Sequence, residues 1–258
     1  MGYFTTRQKG VSLLELAIGL VIIGLIVGAI SIASNLRQTA AAKQIMSELG
    51  NYLQAFTQFK EIYKAKAGDM LNAADHFTGN AAWAGNGNGT WDQSQERDVL
   101  WAQLDQANII DTNISVPVFS GTYYNTAVRE VGKHRPASKW QENVGWTIVP
   151  NTSFTVIGAP SITYDYGEIL RLGAFAGGSN GGEELIGNVV PVWLHRQIDA
   201  KLDVENTPLT GKYVALGNAN CLSGEEYGAD EDQNCTLNWL LDTPDTNAIT
   251  PCDIDPSC

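Results

Sequence analysis

Residues 9–15 read Lys-Gly-Val-Ser-Leu-Leu-Glu, and no charged residue follows from position 16 to position 36. At a rise of ~1.5 Å per residue, a helix over 16–36 would extend ~30 Å, about the thickness of the hydrocarbon core of a bilayer. The preceding residues 1–10 carry Arg7 and Lys9 but no acid, as expected of a segment kept in the cytoplasm. The sequence therefore predicts a membrane-spanning helix that begins close to the N-terminus.

Glu15 is the one carboxylate in the apolar stretch 11–33. A charge in lipid costs a few kcal/mol unless it lies near the interface or has a partner charge. Cutting the chain after Gly10 would give Val11 a positively charged amine. Within one helix that amine competes with helix capping for Glu15, whereas a second copy of the helix, shifted along its axis, would present its amine to this carboxylate. Glu15 is therefore the candidate assembly residue.

These residues resemble the N-terminal signal of type IV prepilins and pseudopilins, with a short basic leader, a glycine at the cut and a glutamate at the fifth mature position. The resemblance implies that a membrane peptidase cuts after Gly10, that the Val11 amine is methylated, and that the helix polymerises into a filament. Val11 stands where the family usually has phenylalanine. Ile32 stands where major pilins often have a helix-bending proline, which favours a straight helix. A secretory signal peptide and a plain membrane anchor are the alternatives.

The helical pattern continues beyond the apolar run. Apolar residues recur every three or four positions and define what we call the apolar stripe: Ile45, Leu49, Tyr52, Leu53, Phe56, Phe59 and Tyr63. The opposite face is predicted to be polar and carries Lys43, Ser47, Glu48, Gln54 and Glu61. With Gly68 as the closing residue, one helix would run from Val11 to Ala67. The stripe is predicted to pack against the rest of the molecule.

The whole chain has the composition of a globular protein, with 44% hydrophobic and 17% charged residues and 26 glycines. Its net charge of −12 argues against nucleic-acid binding through a basic surface. We expect four parts: a leader (1–10), a transmembrane and polymerisation helix (11–36), the amphipathic half of the same helix (37–67) and an extracytoplasmic head (68–258). The predicted fold class is α+β and pilin-like, with the long helix packed on an antiparallel sheet.

Within the head, local patterns predict a turn-rich surface connection over 68–97 and a second helix over 98–110. Short β-branched and aromatic runs predict strands between 116 and 158 and again at 213–216, and a short helix is expected after Pro191. The glycine-rich stretch 173–187 lacks the lysine of a phosphate-binding loop. A cluster of basic residues near Lys133, His134 and Arg135 is predicted to be a solvated loop.

All four cysteines lie near the C-terminus, at Cys221, Cys235, Cys252 and Cys258. Four cysteines allow three pairings. Because short loops close at the lowest entropic cost, we favour Cys221 with Cys235 and Cys252 with Cys258. No CxxC pair is present, which argues against zinc. C-terminal disulfide loops are also frequent in type IV pilins, as the resemblance implies.

The segment 218–234 is rich in acidic residues, and closely spaced oxygen ligands suit calcium, with Asp230 and Asp232 as weak candidates. A solvated acidic loop is the alternative, and no other cofactor is expected. The three histidines, His76, His134 and His195, are scattered and match no nucleophile, zinc or nucleotide motif. The sequence therefore predicts no enzymatic activity.

The function predicted from the sequence is that of a structural subunit of a type IV pilus-like filament. The subunit would be inserted in the bacterial inner membrane and then displayed in a periplasmic or cell-surface filament. Its expected partners are copies of itself, other pilin-like subunits, the prepilin peptidase and an inner-membrane assembly platform. A pseudopilin of a type II secretion system is the alternative within the same class. A membrane-anchored adhesive or binding domain is the alternative from another class.

Overall fold

A computed structural model describes residues 12–77, 83–114, 131–156, 162–174, 187–202, 212–216, 221–223, 226–230 and 233–241. The chain divides into two compact units, Met1–Ala41 and Ala42–Cys258. The fold is α+β and pilin-like: a long N-terminal helix, an antiparallel sheet and a disulfide in the C-terminal region.

Helix α1 spans Leu13–Tyr63. It ends four residues earlier than the sequence predicts, because Lys64 already adopts a left-handed conformation at φ 55° and its N–H donates to the Lys60 carbonyl at 3.0 Å. Gly68, the predicted closing residue, also has a positive φ of 85°, but it forms a separate turn packed against the next long helix. The predicted helical boundary at Ala67 is therefore wrong, while the helix itself is confirmed.

In the second unit, the apolar stripe forms part of the core, as predicted. Ile45, Leu49, Tyr52 and Phe59 are buried, together with Ala55 between them. The aromatic side chains of the stripe contact tryptophans from later in the second unit: Tyr52 packs edge-on against Trp101, with ring centroids 5.3 Å apart, and the ring of Phe56 lies 5.5 Å from that of Trp91. Edge-to-face and tilted pairs at these distances stabilise packing beyond the area they bury.

The sheet is antiparallel and has five strands. Strand β1 (Val144–Val156) pairs with β2 (Ile162–Ala174), which pairs with β7 (Asn234–Leu240). Strand β7 also pairs with β4 (Tyr213–Leu216) and, at its first residues, with the short β3 (Val190–Pro191). A separate two-stranded ribbon joins β5 (Leu222–Ser223) and β6 (Glu226–Tyr227). Strand β7, close to the C-terminus, is thus the centre of the sheet.

Strands β1 and β2 differ from the expectation. The sequence predicts two separate short strands, at 146–149 and 154–157, but β1 runs continuously through them to Val156. Its register against β2 shifts between Val149 and Ser153, which is how the ladder accommodates Pro150. No separate strand is predicted above for β2, although the run Ile162-Thr163-Tyr164-Asp165-Tyr166 alternates apolar with polar residues, as a strand with one buried face does. The expected strand positions between 116 and 124 lie outside the described residues.

Three further helices complete the head: α2 (Ala73–His76), α3 (Ser94–Gln106) and α4 (Val192–Leu202). Helix α3 begins four residues before its predicted start, while α4 follows Pro191 directly, as predicted. The segment before α3 is not a surface connection, because Met70 and Trp91 are buried in the core. Asp69 is also buried, and its carboxylate accepts the backbone N–H groups of Gly87 (2.6 Å) and Gly89 (2.7 Å).

Cys221 and Cys235 form a disulfide that joins the start of β5 to β7, which confirms this predicted pair. Both cysteines are fully buried, and they cluster with Val192, Val214 and Tyr227. The second predicted pair, Cys252 and Cys258, lies outside the described residues.

Candidate functional site

The first described residues form a capping box at the start of α1. The Ser12 hydroxyl oxygen accepts the N–H of Leu14 at 3.1 Å, and a carboxylate oxygen of Glu15 accepts the N–H of Ser12 at 3.0 Å. This reciprocal arrangement satisfies N–H groups that the first helical turn leaves without partners. Glu15 is therefore hydrogen-bonded within its own chain in this structure. Gly10 and Val11, the predicted processing residues, lie outside the described residues.

The first part of α1, from Leu13 to Leu36, presents apolar side chains on every face. Leu13 is 89% exposed, and the other large apolar residues of this part are also exposed: Leu14, Leu16, Ile18, Leu20, Val21, Ile22, Ile23, Leu25, Ile26, Val27, Ile30, Ile32 and Leu36. A helix that is apolar all round is typical of a segment that lies in lipid or within a bundle of helices. Among the described residues, α1 is the one helix that is long and apolar enough to cross a bilayer.

Glu48 lies on the part of α1 that belongs to the second unit, and it is buried rather than on a polar face as predicted. Its two carboxylate oxygens accept the indole N–H of Trp146, at 2.9 Å, and the backbone N–H of Lys139, at 2.8 Å. Gln44, one turn earlier on α1, donates to it as well, at 2.9 Å. Burial, and then the nearby Glu48 carboxylate, raise the pKa of Tyr52. Glu48 thus joins α1 to β1 by hydrogen bonds to a charged acceptor, which are stronger than neutral ones.

The carboxylates around the Asn86–Gly89 turn are engaged in holding that turn. Glu96 accepts the N–H groups of Asn86 (3.0 Å) and Gln93 (3.1 Å), while Asp92 accepts the side-chain amides of Asn86 (3.0 Å) and Asn88 (3.1 Å). Burial first, and then the neighbouring acids Asp92 and Asp69, raise the pKa of Glu96. These acids therefore stabilise a backbone loop.

The predicted calcium candidates are not brought together in the described part of the chain. Asp230 is exposed, and one of its carboxylate oxygens accepts the side-chain amide of Gln233 at 2.9 Å. Asp232 lies outside the described residues. Within the described ranges, no group of three or more histidine, cysteine or acidic residues is placed to hold a metal ion.

The three histidines lie in different environments. His76 is exposed in α2, whereas His134 and His195 are buried. The basic cluster around His134 is not a solvated loop, because Arg135 is also buried and pairs with Asp98 of α3 at 3.4 Å. The pair joins the segment 131–135 to α3.

His195 of α4 is packed among polar groups next to the disulfide. The hydroxyl of Tyr213 in β4 is hydrogen-bonded to its Nδ1, and its ring lies 6.3 Å from that of Tyr227. The hydroxyl of Tyr227 donates to a carboxylate oxygen of Asp199, one turn further along α4, at 2.9 Å. Burial lowers the pKa of His195 to about 3, so the imidazole is neutral at physiological pH. This network joins α4 to the sheet.

Sequence reasoning missed the roles of Ser12 and Glu48. The spacing Ser12-Leu13-Leu14-Glu15 is itself the signature of a capping box and would have predicted the bonds at the start of α1. Glu48 adjoins Leu49 of the apolar stripe, but its partners Lys139 and Trp146 are about a hundred residues away in the sequence. The helical pattern alone therefore carries no signal that this carboxylate is buried.

Residues 5–31 of the chain match the family model described as the prokaryotic N-terminal methylation motif. The match covers Gly10, Val11 and Glu15 together with most of the apolar run. No curated protein and no solved structure matches the chain. The N-terminal segment is a type IV prepilin- or pseudopilin-type signal, a motif of structural proteins that assemble with other pilin subunits after processing by a prepilin peptidase.

Proposed function

We propose that this protein is a structural subunit of a type IV pilus-like filament, inserted in the bacterial inner membrane and polymerised through α1. The observation that carries the proposal is the match of the methylation motif to residues 5–31, at the start of a helix able to cross a membrane. In this proposal the prepilin peptidase removes residues 1–10 and the Val11 amine is methylated. Residues 11–36 hold the subunit in the membrane, 37–67 connect them to the head, and 68–258 form an extracytoplasmic head without catalytic activity.

Glu15 would act in assembly by pairing with the Val11 amine of a neighbouring subunit. A carboxylate among apolar helices is costly without a partner, so a subunit docked in the correct axial register is favoured over one that leaves this charge alone. In the isolated chain, Glu15 accepts the N–H of Ser12. Assembly would therefore exchange an internal hydrogen bond for an ion pair between subunits.

The first test is mass spectrometry of the N-terminal peptide from membranes of the native host. The proposal predicts a peptide that begins at Val11 and carries one added methyl group. An intact Met1 end would indicate a plain anchor, and a start at Ser34 would indicate a secreted domain. Either of these results would contradict the proposal.

The role of Glu15 is tested by Glu15→Gln, which keeps an oxygen to accept the Ser12 N–H but removes the charge. We expect unchanged cleavage and at least about tenfold less incorporation into filaments, since ~1.4 kcal/mol is a tenfold change in an equilibrium and the lost pair exceeds that. The matched control is Glu61→Gln, an exposed carboxylate on the same helix. Normal incorporation of the Glu15 variant would contradict its assembly role.

A pseudopilin of a type II secretion system carries the same kind of signal, so the motif supports both assignments. Genes next to this one distinguish them, because a retraction ATPase accompanies pili, whereas a secretin with a secretion ATPase and no retraction machinery favours secretion. In both cases the partners are copies of this subunit, related subunits, the prepilin peptidase and an assembly platform. If the head instead serves as an anchored adhesive domain, the protein should bind a ligand even when the Glu15 variant blocks assembly.

A further inference from the structure

The Asn86–Gly89 turn contains two asparagine–glycine pairs in succession, Asn86-Gly87 and Asn88-Gly89, and all four residues are exposed. Asparagine is a chemically labile residue. It is most labile before glycine, because glycine has no Cβ to keep its backbone nitrogen away from the preceding side chain. The sequence of this turn therefore favours deamidation, which is the covalent loss of a side-chain amide.

Deamidation at such a pair needs only the chain and water. Hydroxide removes the proton of the glycine N–H, and the nitrogen attacks the side-chain carbonyl carbon Cγ of the asparagine. As the new N–Cγ bond forms, the Cγ–Nδ2 bond breaks, and the side-chain nitrogen takes a proton from water and leaves as ammonia. Water then opens the cyclic imide at one of its two carbonyl carbons and leaves aspartate or isoaspartate. The reaction therefore requires a glycine N–H that can lose its proton and an asparagine side chain that can turn toward it.

In the structure, both glycine N–H groups are bound to one carboxylate. The N–H of Gly87 donates to Oδ1 of Asp69 at 2.6 Å, and the N–H of Gly89 donates to Oδ2 at 2.7 Å. Positive φ angles of 69° at Gly87 and 88° at Gly89 turn these groups toward the buried Asp69, an arrangement known as an anion-binding nest. Removing a proton from either nitrogen would place a second negative charge beside the Asp69 carboxylate. This contact therefore opposes the first step of the reaction.

The asparagine side chains are held as well. Asp92 accepts the side-chain N–H groups of Asn86 at 3.0 Å and of Asn88 at 3.1 Å, one on each of its carboxylate oxygens. The amide oxygen of Asn86 accepts the backbone N–H of Asn88 at 2.9 Å, and that of Asn88 accepts the backbone N–H of Thr90 at 2.8 Å. Rotation of either side chain toward the glycine nitrogen would break these hydrogen bonds, one of which is to a charged acceptor.

We propose that the Asn86–Gly89 turn is a latent site of deamidation and that Asp69 is the residue that keeps it unreactive. Asp69 binds both attacking nitrogens at once, while Asp92 restrains the two side chains. The product would not fit in the same place. An acid at position 86 or 88 would bring a carboxylate against Asp92, where the amide now donates, and two like charges in contact repel. Modification would therefore open the turn. The proposal does not depend on the filament function.

The first test compares the folded and unfolded states of the unmodified chain. The full chain in detergent is incubated in mildly alkaline buffer, with and without enough urea to unfold the head. Deamidation at positions 86 and 88 is followed by mass spectrometry of the peptide that carries them. We expect the reaction to be at least about tenfold slower in the folded chain, which corresponds to ~1.4 kcal/mol. Equal rates in the two states would overturn the proposal, because the turn would then give no protection.

The second test identifies the residue responsible. Asp69→Asn keeps the size of the side chain but removes its charge and one of its two acceptor oxygens, and it should accelerate deamidation at positions 86 and 88 about three- to tenfold. Glu96→Gln is the matched control, since Glu96 accepts the N–H of Asn86 in the same turn rather than that of either glycine. It should leave both rates close to those of the unmodified chain.

A second substitution at the same position separates charge from stability. Asp69→Glu retains the negative charge on a longer side chain, so it should react more slowly than Asp69→Asn even if both variants lower the melting temperature alike. Rates are compared at a temperature below the onset of unfolding of both variants, followed by circular dichroism. Equal rates in Asp69→Asn and Glu96→Gln would overturn the role of Asp69, as would equal rates in the two Asp69 variants.

Discussion

At Glu48, one side chain accepts two hydrogen bonds that join α1 to distant segments, from Lys139 and Trp146, and a third from Gln44 of α1 itself. Replacing it by alanine would leave the buried indole N–H of Trp146 without an acceptor, and a buried polar group left alone costs ~1–3 kcal/mol. We therefore expect Glu48→Ala to lower the free energy of unfolding by about that amount, measured by denaturant unfolding of the full chain in detergent. Glu61→Ala, which removes an exposed carboxylate from the same helix, should change it little. Equal effects of the two substitutions would contradict the role given to Glu48.

The buried imidazole of His195 makes the stability of the head depend on pH. Its pKa is about 3 in the folded chain, against 6.5 for an ordinary solvated histidine, so between these values the unfolded chain binds more protons. The contribution of His195 to the free energy of unfolding therefore rises with pH between about 3 and 6.5, by at most ~1.4 kcal/mol per pH unit. Above pH 6.5 this contribution no longer changes with pH. We expect His195→Gln to flatten the slope of unfolding free energy between pH 5 and 6.5.

The control for that measurement is His76→Gln, because His76 is exposed in α2. It should keep the slope of the unmodified chain. Glutamine at 195 retains an acceptor for the Tyr213 hydroxyl, which separates the loss of a titrating group from the loss of a hydrogen bond. An unchanged slope in the His195 variant would contradict the burial argument.

At the scale of the element, the turn after α1 depends on Gly68. Its φ of 85° is in the left-handed region, and an added Cβ would overlap the carbonyl oxygen of Glu96 in α3. A strained backbone costs ~1–3 kcal/mol, and the overlap adds to it, so Gly68→Ala should lower the melting temperature clearly. Gly50→Ala is the matched control, since Gly50 is helical with nothing within 4 Å of an added Cβ. It should raise stability by ~0.5–1 kcal/mol, and the reverse order of the two variants would refute this interpretation.

The elements also show how far the sequence predicts the fold. The long helix, its buried stripe and α4 after Pro191 follow from local patterns, because helical periodicity and helix-start residues act within a few positions. The end of α1 at Tyr63 and the continuous strand through Pro150 are not predictable in this way. The first depends on a lysine adopting a conformation that favours glycine, and the second on a register shift against β2, which only the paired strand determines.

The candidate site divides in the same way. The capping box at Ser12 and Glu15 and the processing signal are contiguous in the sequence, so a reader of the sequence alone can find them. Glu48, Arg135 and His195 instead acquire partners from distant segments. The local pattern predicts that Glu48 and Arg135 are exposed, whereas both are buried. Long-range pairing of polar groups is the part that one sequence does not reveal.

For the whole molecule, the disulfide between Cys221 and Cys235 restrains the unfolded chain as well as the folded one. It closes a loop with a sequence separation of 14, for which the chain-entropy estimate is about 3 kcal/mol. Replacing both cysteines by serine should lower the free energy of unfolding by roughly that amount, and adding a reductant to the unmodified chain should have a similar effect. A variant as stable as the unmodified chain in non-reducing denaturant titrations would show that the bond contributes little.

The capping box at the start of α1 bears on the timing of polymerisation. Because each free subunit already satisfies its Glu15 carboxylate at the Ser12 N–H, it gains less from meeting another subunit than a bare charge would. In the proposed function, subunits would then remain unassembled as they diffuse in the bilayer, and a collision between two of them would not by itself start a filament. Growth would instead be confined to the place where the assembly platform performs work on the membrane-embedded helix.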